Sequence, residues 1–240
     1  MAQAILDIGD LTVVIGDGAE DEQCLPALEI LRAEYLPART QQCWIPATPG
    51  QKFTVRYCWN GKRRLENKRH AGIFCELFID GIIVERAFLP LKPGQNGTTL
   101  EREWQIPGKF YRASDNRAWH YHFRFGERNI DANAAQVKET GVIRVVLYWA
   151  CPDDEVPILF PPPTGALAND IASMLRIPAG IDELQPCIDL RDAEPTDVVE
   201  NDMRVARVDN EEYNFFFVYA GSSLCEDFDL VQTGACALSM

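Results

Sequence analysis

The stretch KFTVRYCW, residues 52–59, limits the possible fold more than any other part of the chain. Phe53, Val55, Tyr57 and Trp59 alternate there with Lys52, Thr54, Arg56 and Cys58. A period of two puts the first set on one face of an extended strand and the second set on the other. A helix advances about 100° per residue and would scatter the same residues around its surface. AWHYHFRF (118–125) alternates in the same way, while GVIRVVLYWA (141–150) is apolar on both phases, as a strand covered on both sides must be. GIFCELFIDGIIVERAFL (72–89) reads as two strands joined at Asp80-Gly81, a pair suited to the positive φ angles of a two-residue hairpin turn. LTVVIGDG (11–18) and TTLEREWQI (98–106) add further strands. LEILRAEYL (28–36) fits a helix as well as a strand. With no helical segments between these runs, the sequence predicts a mostly all-β fold, an antiparallel β-sandwich of jelly-roll type.

The pattern changes at residue 151. CPDDEVPILFPPPTG (151–165) holds five prolines, which excludes a helix or a central strand. ALANDIASMLRI (166–177), with Thr164 as a nearby cap, and SSLCEDFDLV (222–231) have helical spacing, so one or two short helices are expected in the C-terminal third. Residues 178–212 read as acidic, irregular and turn-rich, and YNFFFVYA (213–220) returns as a strongly apolar strand. The expectation is a single domain over 1–240, with a Pro-rich, acidic excursion at about 151–212 and a closing strand at 213–220.

Charge follows the same boundary. Of a net −13, residues 1–150 hold 19 Lys and Arg against 18 Asp and Glu, and residues 151–240 hold 4 against 18. A strongly acidic third repels phosphate backbones, which argues against nucleic acid and suits a basic protein partner. The chain opens without a cationic segment and apolar run, and no stretch of about 18 apolar residues occurs, so a cytoplasmic or nuclear placement with no membrane span is expected. The eight cysteines show no CxxC pattern and are read as thiols; a disulfide-bonded secreted form, in which the NGT sequon at Asn96 would matter, is the alternative.

The blocks CWIPATPGQKFTVRY (43–57), FIDGIIV (78–84), TGVIRVVLY (140–148) and YNFFFVYA (213–220) resemble, in identity and order, a family of unknown function found mainly in mushroom-forming and related fungi. The resemblance covers most of the chain and is weakest over about 151–200. It implies a β-rich intracellular fungal domain and supplies no reaction, ligand or catalytic residue.

The sharpest chemical candidate is HYHFRFGE (120–127). On one strand His120, His122 and Arg124 share a side, with Trp119, Tyr121, Phe123 and Phe125 on the buried side. Two imidazoles about 7 Å apart can converge on one metal. The spacing His-x-His-x4-Glu is similar to the first metal motif of the cupins, which would make His120, His122 and Glu127 ligands. The flanking glycines of that motif are absent, a third histidine on a later strand is missing, and Arg124 opposes a cation. A solvent-facing His-His-Arg side over aromatic core is therefore the expectation, with no cofactor. A second candidate is NGKRRLENKRH (60–70), read as a hairpin loop between the strands on either side. Lys62, Arg63, Arg64, Lys68 and Arg69 there read first as a solvated loop that gives a strand edge protective positive charge; they could also pair with the acidic third, within one molecule or between two, or serve as an import signal or anion contact. GDGAEDE (16–22) lacks the alternating acids of a calcium loop and reads as a polar turn. Most aromatic residues are placed in the core, with Trp44 semi-exposed and a sugar-stacking cleft as a lesser reading. There is no G-x-S-x-G, phosphate-binding glycine loop, G-x-G-x-x-G or H-E-x-x-H, and Cys151 lies among acids that disfavour a thiolate. The leading functional expectation is a non-enzymatic module that binds another protein or itself, with a cupin-like metal protein second and a small-ligand or carbohydrate binder third.

Overall fold

The computed structural model describes residues 2–19, 23–27, 29–30, 36–60, 72–91, 102–112, 118–126, 141–152, 187–189, 193–196 and 205–221. Along the chain these form β1 (Ala2–Gln3), β2 (Ile5–Ile8), β3 (Leu11–Gly16), β4 (Pro26–Ala27), β5 (Glu29–Ile30) and β6 (Thr40–Ala47). There follow β7 (Thr54–Trp59), β8 (Gly72–Ile79), β9 (Ile82–Pro90), β10 (Arg102–Ile106), β11 (Gly108–Arg112) and β12 (Ala118–His122). The last six are β13 (Arg124–Gly126), β14 (Val142–Pro152), β15 (Cys187–Asp189), β16 (Ala193–Thr196), β17 (Val205–Arg207) and β18 (Tyr213–Gly221). Every regular element among the described residues is a strand. Both segments expected to be helical, 166–177 and 222–231, lie outside them. Of the ambiguous LEILRAEYL, Glu29 and Ile30 are extended.

Two sheets face each other. The smaller has the order β10-β7-β3-β2, and the larger β5-β6-β18-β14-β8-β9, with β17 also on β14. Period-two burial supplies the core between them. Val55, Tyr57 and Trp59 of β7 share one buried cluster with Val145, Leu147 and Trp149 of β14, and the Trp59 and Trp149 rings lie edge to face with centroids 5.5 Å apart. Each fully buried side chain of this size contributes about 1.5–3 kcal/mol. β14, apolar on both phases, is a central strand, as expected. It runs two residues into the Pro-rich stretch, where Cys151 and Pro152 pair with Ala206 and Val205 of β17. That excursion is also less irregular than predicted, since it contributes β15, β16 and β17.

The closing strand returns as expected, but with one parallel neighbour. β18 lies between β6 and β14, antiparallel to β14 and parallel to β6. A long crossover is the only route to such a pairing. Asp80 (φ 49) and Gly81 (φ 79) make the tight turn between β8 and β9 that their sequence predicts. Asp80 is only 1% exposed. Its Oδ1 accepts from the backbone N–H groups of Gly141 (2.6 Å) and Val142 (3.1 Å), and its Oδ2 from the Tyr219 hydroxyl (2.7 Å). The turn residue thus ties together three strands of the large sheet.

One sequence expectation is corrected by this topology. β7 belongs to the small sheet and β8 to the large one, so these two strands do not pair with each other as a hairpin would require. Lys62, Arg63, Arg64, Lys68 and Arg69 themselves lie outside the described residues.

Candidate functional site

The 118–126 region does not follow a single alternation. The strand breaks at Phe123: β12 pairs with β11 and β16, whereas β13 pairs with β15. Phe123 and Phe125 are fully buried, stacking on Phe53 with centroids at 5.3 and 4.5 Å, which fits their predicted core role. Backbone bonds from Phe53 N to Phe123 O (3.1 Å) and from Phe125 N to Gln51 O (3.0 Å) hold them there. In β12 the phase is different. Trp119 and Tyr121 are half-buried, and His120 is 9% exposed. The expectation of a solvent-facing histidine side therefore fails at His120. The reason is local. His120 shares its face with Gly108 on β11, and a Cβ at Gly108 would sit 2.7 Å from His120 Nε2 and against the Tyr121 carbonyl oxygen. A glycine at that position gives the imidazole its space.

The two histidines do come together, with ring centroids 4.3 Å apart and planes at 71°. His122 Nε2 donates to Glu194 Oε2 on β16 at 3.3 Å. Burial holds the His120 imidazole below its ordinary pKa, His122 and Lys52 push the same way, and Glu194 partly offsets them. The bond from His122 holds the Glu194 carboxyl below its ordinary range. Glu127, the third ligand expected from the motif, lies outside the described residues. Among the described residues no cluster of three His, Cys, Asp or Glu side chains is arranged to hold a metal. Sequence reasoning missed Glu194. It stands 72 positions from His122 in an acidic run, and only the pairing of β12 with β16 reveals it.

Cys43, Cys58 and Cys75 are not poised as nucleophiles. Cys24, Cys43, Cys58, Cys75 and Cys151 are free. Burial pushes Cys43 up to about 12, Cys75 well above its ordinary value, and Cys58 upward as well. In the 16–22 turn, Asp17 Oδ1 accepts from Ala19 N and Gln23 N, both at 3.1 Å, so its carboxylate caps the turn itself.

The most distinctive surface is the outer face of the large sheet. A sandwich normally leaves that face polar. Here Arg144, at the centre of β14, has its guanidinium carbon 5.1 Å from the Phe78 ring centroid and 5.6 Å from that of Phe216. The three residues are directly paired across β8, β14 and β18. One row away, Val218 pairs with Trp44 of β6, and Trp44 is half-buried as expected. Further along, Phe74, Phe88, Val146 and Tyr148 form a second apolar cluster on the same side of the sheet that is itself buried, and the Arg207 guanidinium lies 4.0 Å over the Tyr148 ring.

Compared with models of protein families, with curated proteins and with solved structures, the chain matches none. Among the described residues, no helix is long and apolar enough to cross a membrane.

Proposed function

We propose that this chain is a non-enzymatic β-sandwich module that binds another protein through the outer face of its large sheet. The observation that carries the proposal is Arg144 lying between the Phe78 and Phe216 rings on the outer face of the sheet, where the next row holds Val146 with Asn214 and the Glu76–Arg86 ion pair. Aromatic residues and Arg are the types enriched at the centres of protein interfaces. Arg144 Nε also donates to Asn214 Oδ1 at 3.3 Å, so the guanidinium is held in one orientation between the two rings. The upward-shifted thiols and the His120 ring against Gly108 favour binding over catalysis. The block-order resemblance to the fungal family belongs to the same reading, since it implies a β-rich domain without a reaction.

A photo-crosslinking residue at position 216, on the half-buried ring, tests the proposal. In extract of the cells that produce the protein, one discrete product should form. The protein it identifies, once purified, should bind the wild type and bind Arg144→Glu at least about tenfold more weakly. No product at position 216, or an affinity indifferent to Arg144→Glu, would overturn the proposal.

A further inference from the structure

Tyr57 ends in a hydroxyl that the packing of the core does not explain. The residue is fully buried, and its hydroxyl has no hydrogen-bond partner among the described residues. A buried hydroxyl left in that state is costly. Its place in the sandwich follows from the strand registers. Trp59 lies edge to face with Trp149 across the two sheets. Two residues earlier on each strand, Tyr57 stands across from the row in which Leu147 pairs with Cys75, and Cys75 with Ala87. Cys75 accordingly adds to the burial that holds the Tyr57 hydroxyl well above its ordinary pKa. Trp104 pairs with Tyr57 and lies on the same inward phase, toward the side of the sandwich where β10 meets β9. That side is closed at Ile106, which is 2% exposed, and open at Trp104, which is 43% exposed. Ala87, the inward residue of β9 in this row, is half-buried rather than buried. An alanine opposite an indole does not fill the spacing of about 10 Å between packed sheets.

We propose that the notch between β9 and β10, with Trp104 and Ala87 at its mouth and the Tyr57 hydroxyl at its floor, binds a small, planar, uncharged molecule carrying one hydrogen-bonding group. The chemistry at each end sets this class. The indole offers a flat apolar face on which a ring stacks. The floor is polar but uncharged, because burial keeps both the Tyr57 hydroxyl and the Cys75 thiol protonated. An ion there would exchange its water for two neutral groups, and an anion would also meet the field of Glu76 and Glu85, which already opposes a Cys75 thiolate. Mouth and floor are one cross-strand pair apart, about 4.5–5.5 Å, so a single six-membered ring spans the notch. The Tyr57 hydroxyl then gains the partner that the protein does not supply. The notch lies inside the sandwich, so it stands or falls independently of the outer face of the large sheet.

The probes are p-cresol, toluene and benzoate, titrated into the isotope-labelled full-length chain and read by magnetic resonance. The signals to follow are the Trp104 indole N–H, assigned by its loss in Trp104→Ala, and the Ala87 amide. p-Cresol should shift both saturably, with a Kd of about 1 mM or tighter, and benzoate should shift neither. Tyr57→Phe keeps the volume of the core and removes only the hydroxyl. It should lower the preference for p-cresol over toluene by about tenfold while leaving the affinity for toluene within about twofold. Trp104→Ala, read through the Ala87 amide, should weaken p-cresol and toluene alike by at least about fivefold. No saturable shift with p-cresol, benzoate bound as tightly as p-cresol, a preference untouched by Tyr57→Phe, or binding untouched by Trp104→Ala would overturn the proposal.

Discussion

His120 carries a pH dependence whose sign follows from its surroundings. Burial, His122 and Lys52 all disfavour the imidazolium in the folded chain, so its folded pKa lies below the unfolded one. Between those two values the unfolded state binds the extra proton, and stability rises with pH. Acidification from neutrality through the ordinary histidine range should therefore lower the urea midpoint. A His120→Gln variant should lose much of that slope, measured as midpoint against pH from 7.5 to about 5. Equal slopes in the two proteins would show that His120 is not responsible. At lower pH a second loss is expected as the Glu194 carboxylate, held below its ordinary range by His122, becomes protonated. The residues of this cluster were only half legible in sequence. The pairing of His120 with His122 follows from a spacing of two, but the depth of His120 does not. That depth depends on Gly108 across the ladder, and a lone glycine in a strand pattern carries no sign of the side chain that will rest on it.

Strand by strand, the sequence was most informative where alternation was strict and flanked by turn residues. β7, β8, β9, β14 and β18 all fall where period two or a continuous apolar run put them, and Asp80-Gly81 forms the turn that its residue types predict. The second use of Asp80 was not legible. A turn aspartate is ordinarily solvated, and nothing in FIDG announces that its carboxylate will accept from Gly141, Val142 and Tyr219. This triad links the β8–β9 turn to the start of β14 and the end of β18. Asp80→Ala should cost about 3–5 kcal/mol, because it strands two backbone N–H groups and a hydroxyl in a dry site. Asp80→Asn also tolerates a positive φ and keeps one acceptor, so it should cost less. Tyr219→Phe should cost about 1–3 kcal/mol and, in a double-mutant cycle with Asp80→Ala, show clear non-additivity. Chemical denaturation of the four proteins reads all three values, and strict additivity would mean that the hydroxyl and the carboxylate act independently.

How the strands divide between two sheets was not readable from local pattern at all. Every half-buried strand alternates in the same way whichever sheet it joins, so the crossing between β7 and β8 looked like a hairpin. The parallel seam of β18 with β6 was equally hidden, because hydrophobic pattern carries no direction. That seam makes the large sheet depend on a strand more than 160 residues downstream of its neighbour. A chain ending at residue 212 should therefore fail to fold, with β6 and β14 facing an empty slot. A synthetic peptide of residues 213–221, supplied during refolding, should restore part of the native circular dichroism by adding the missing strand. A truncated chain that melts cooperatively by itself would show that β18 is dispensable.

The same seam sets a timetable for biosynthesis. Translation proceeds from β6 toward β18 at about 5–20 residues per second, so β6 waits roughly 10–30 s on the ribosome before its parallel neighbour exists. During that interval Cys43 and Ile45 belong to an incomplete sheet. Completion of this fold therefore waits on the synthesis of β18, and the nascent protein is a natural client for chaperones that shield unpaired strands.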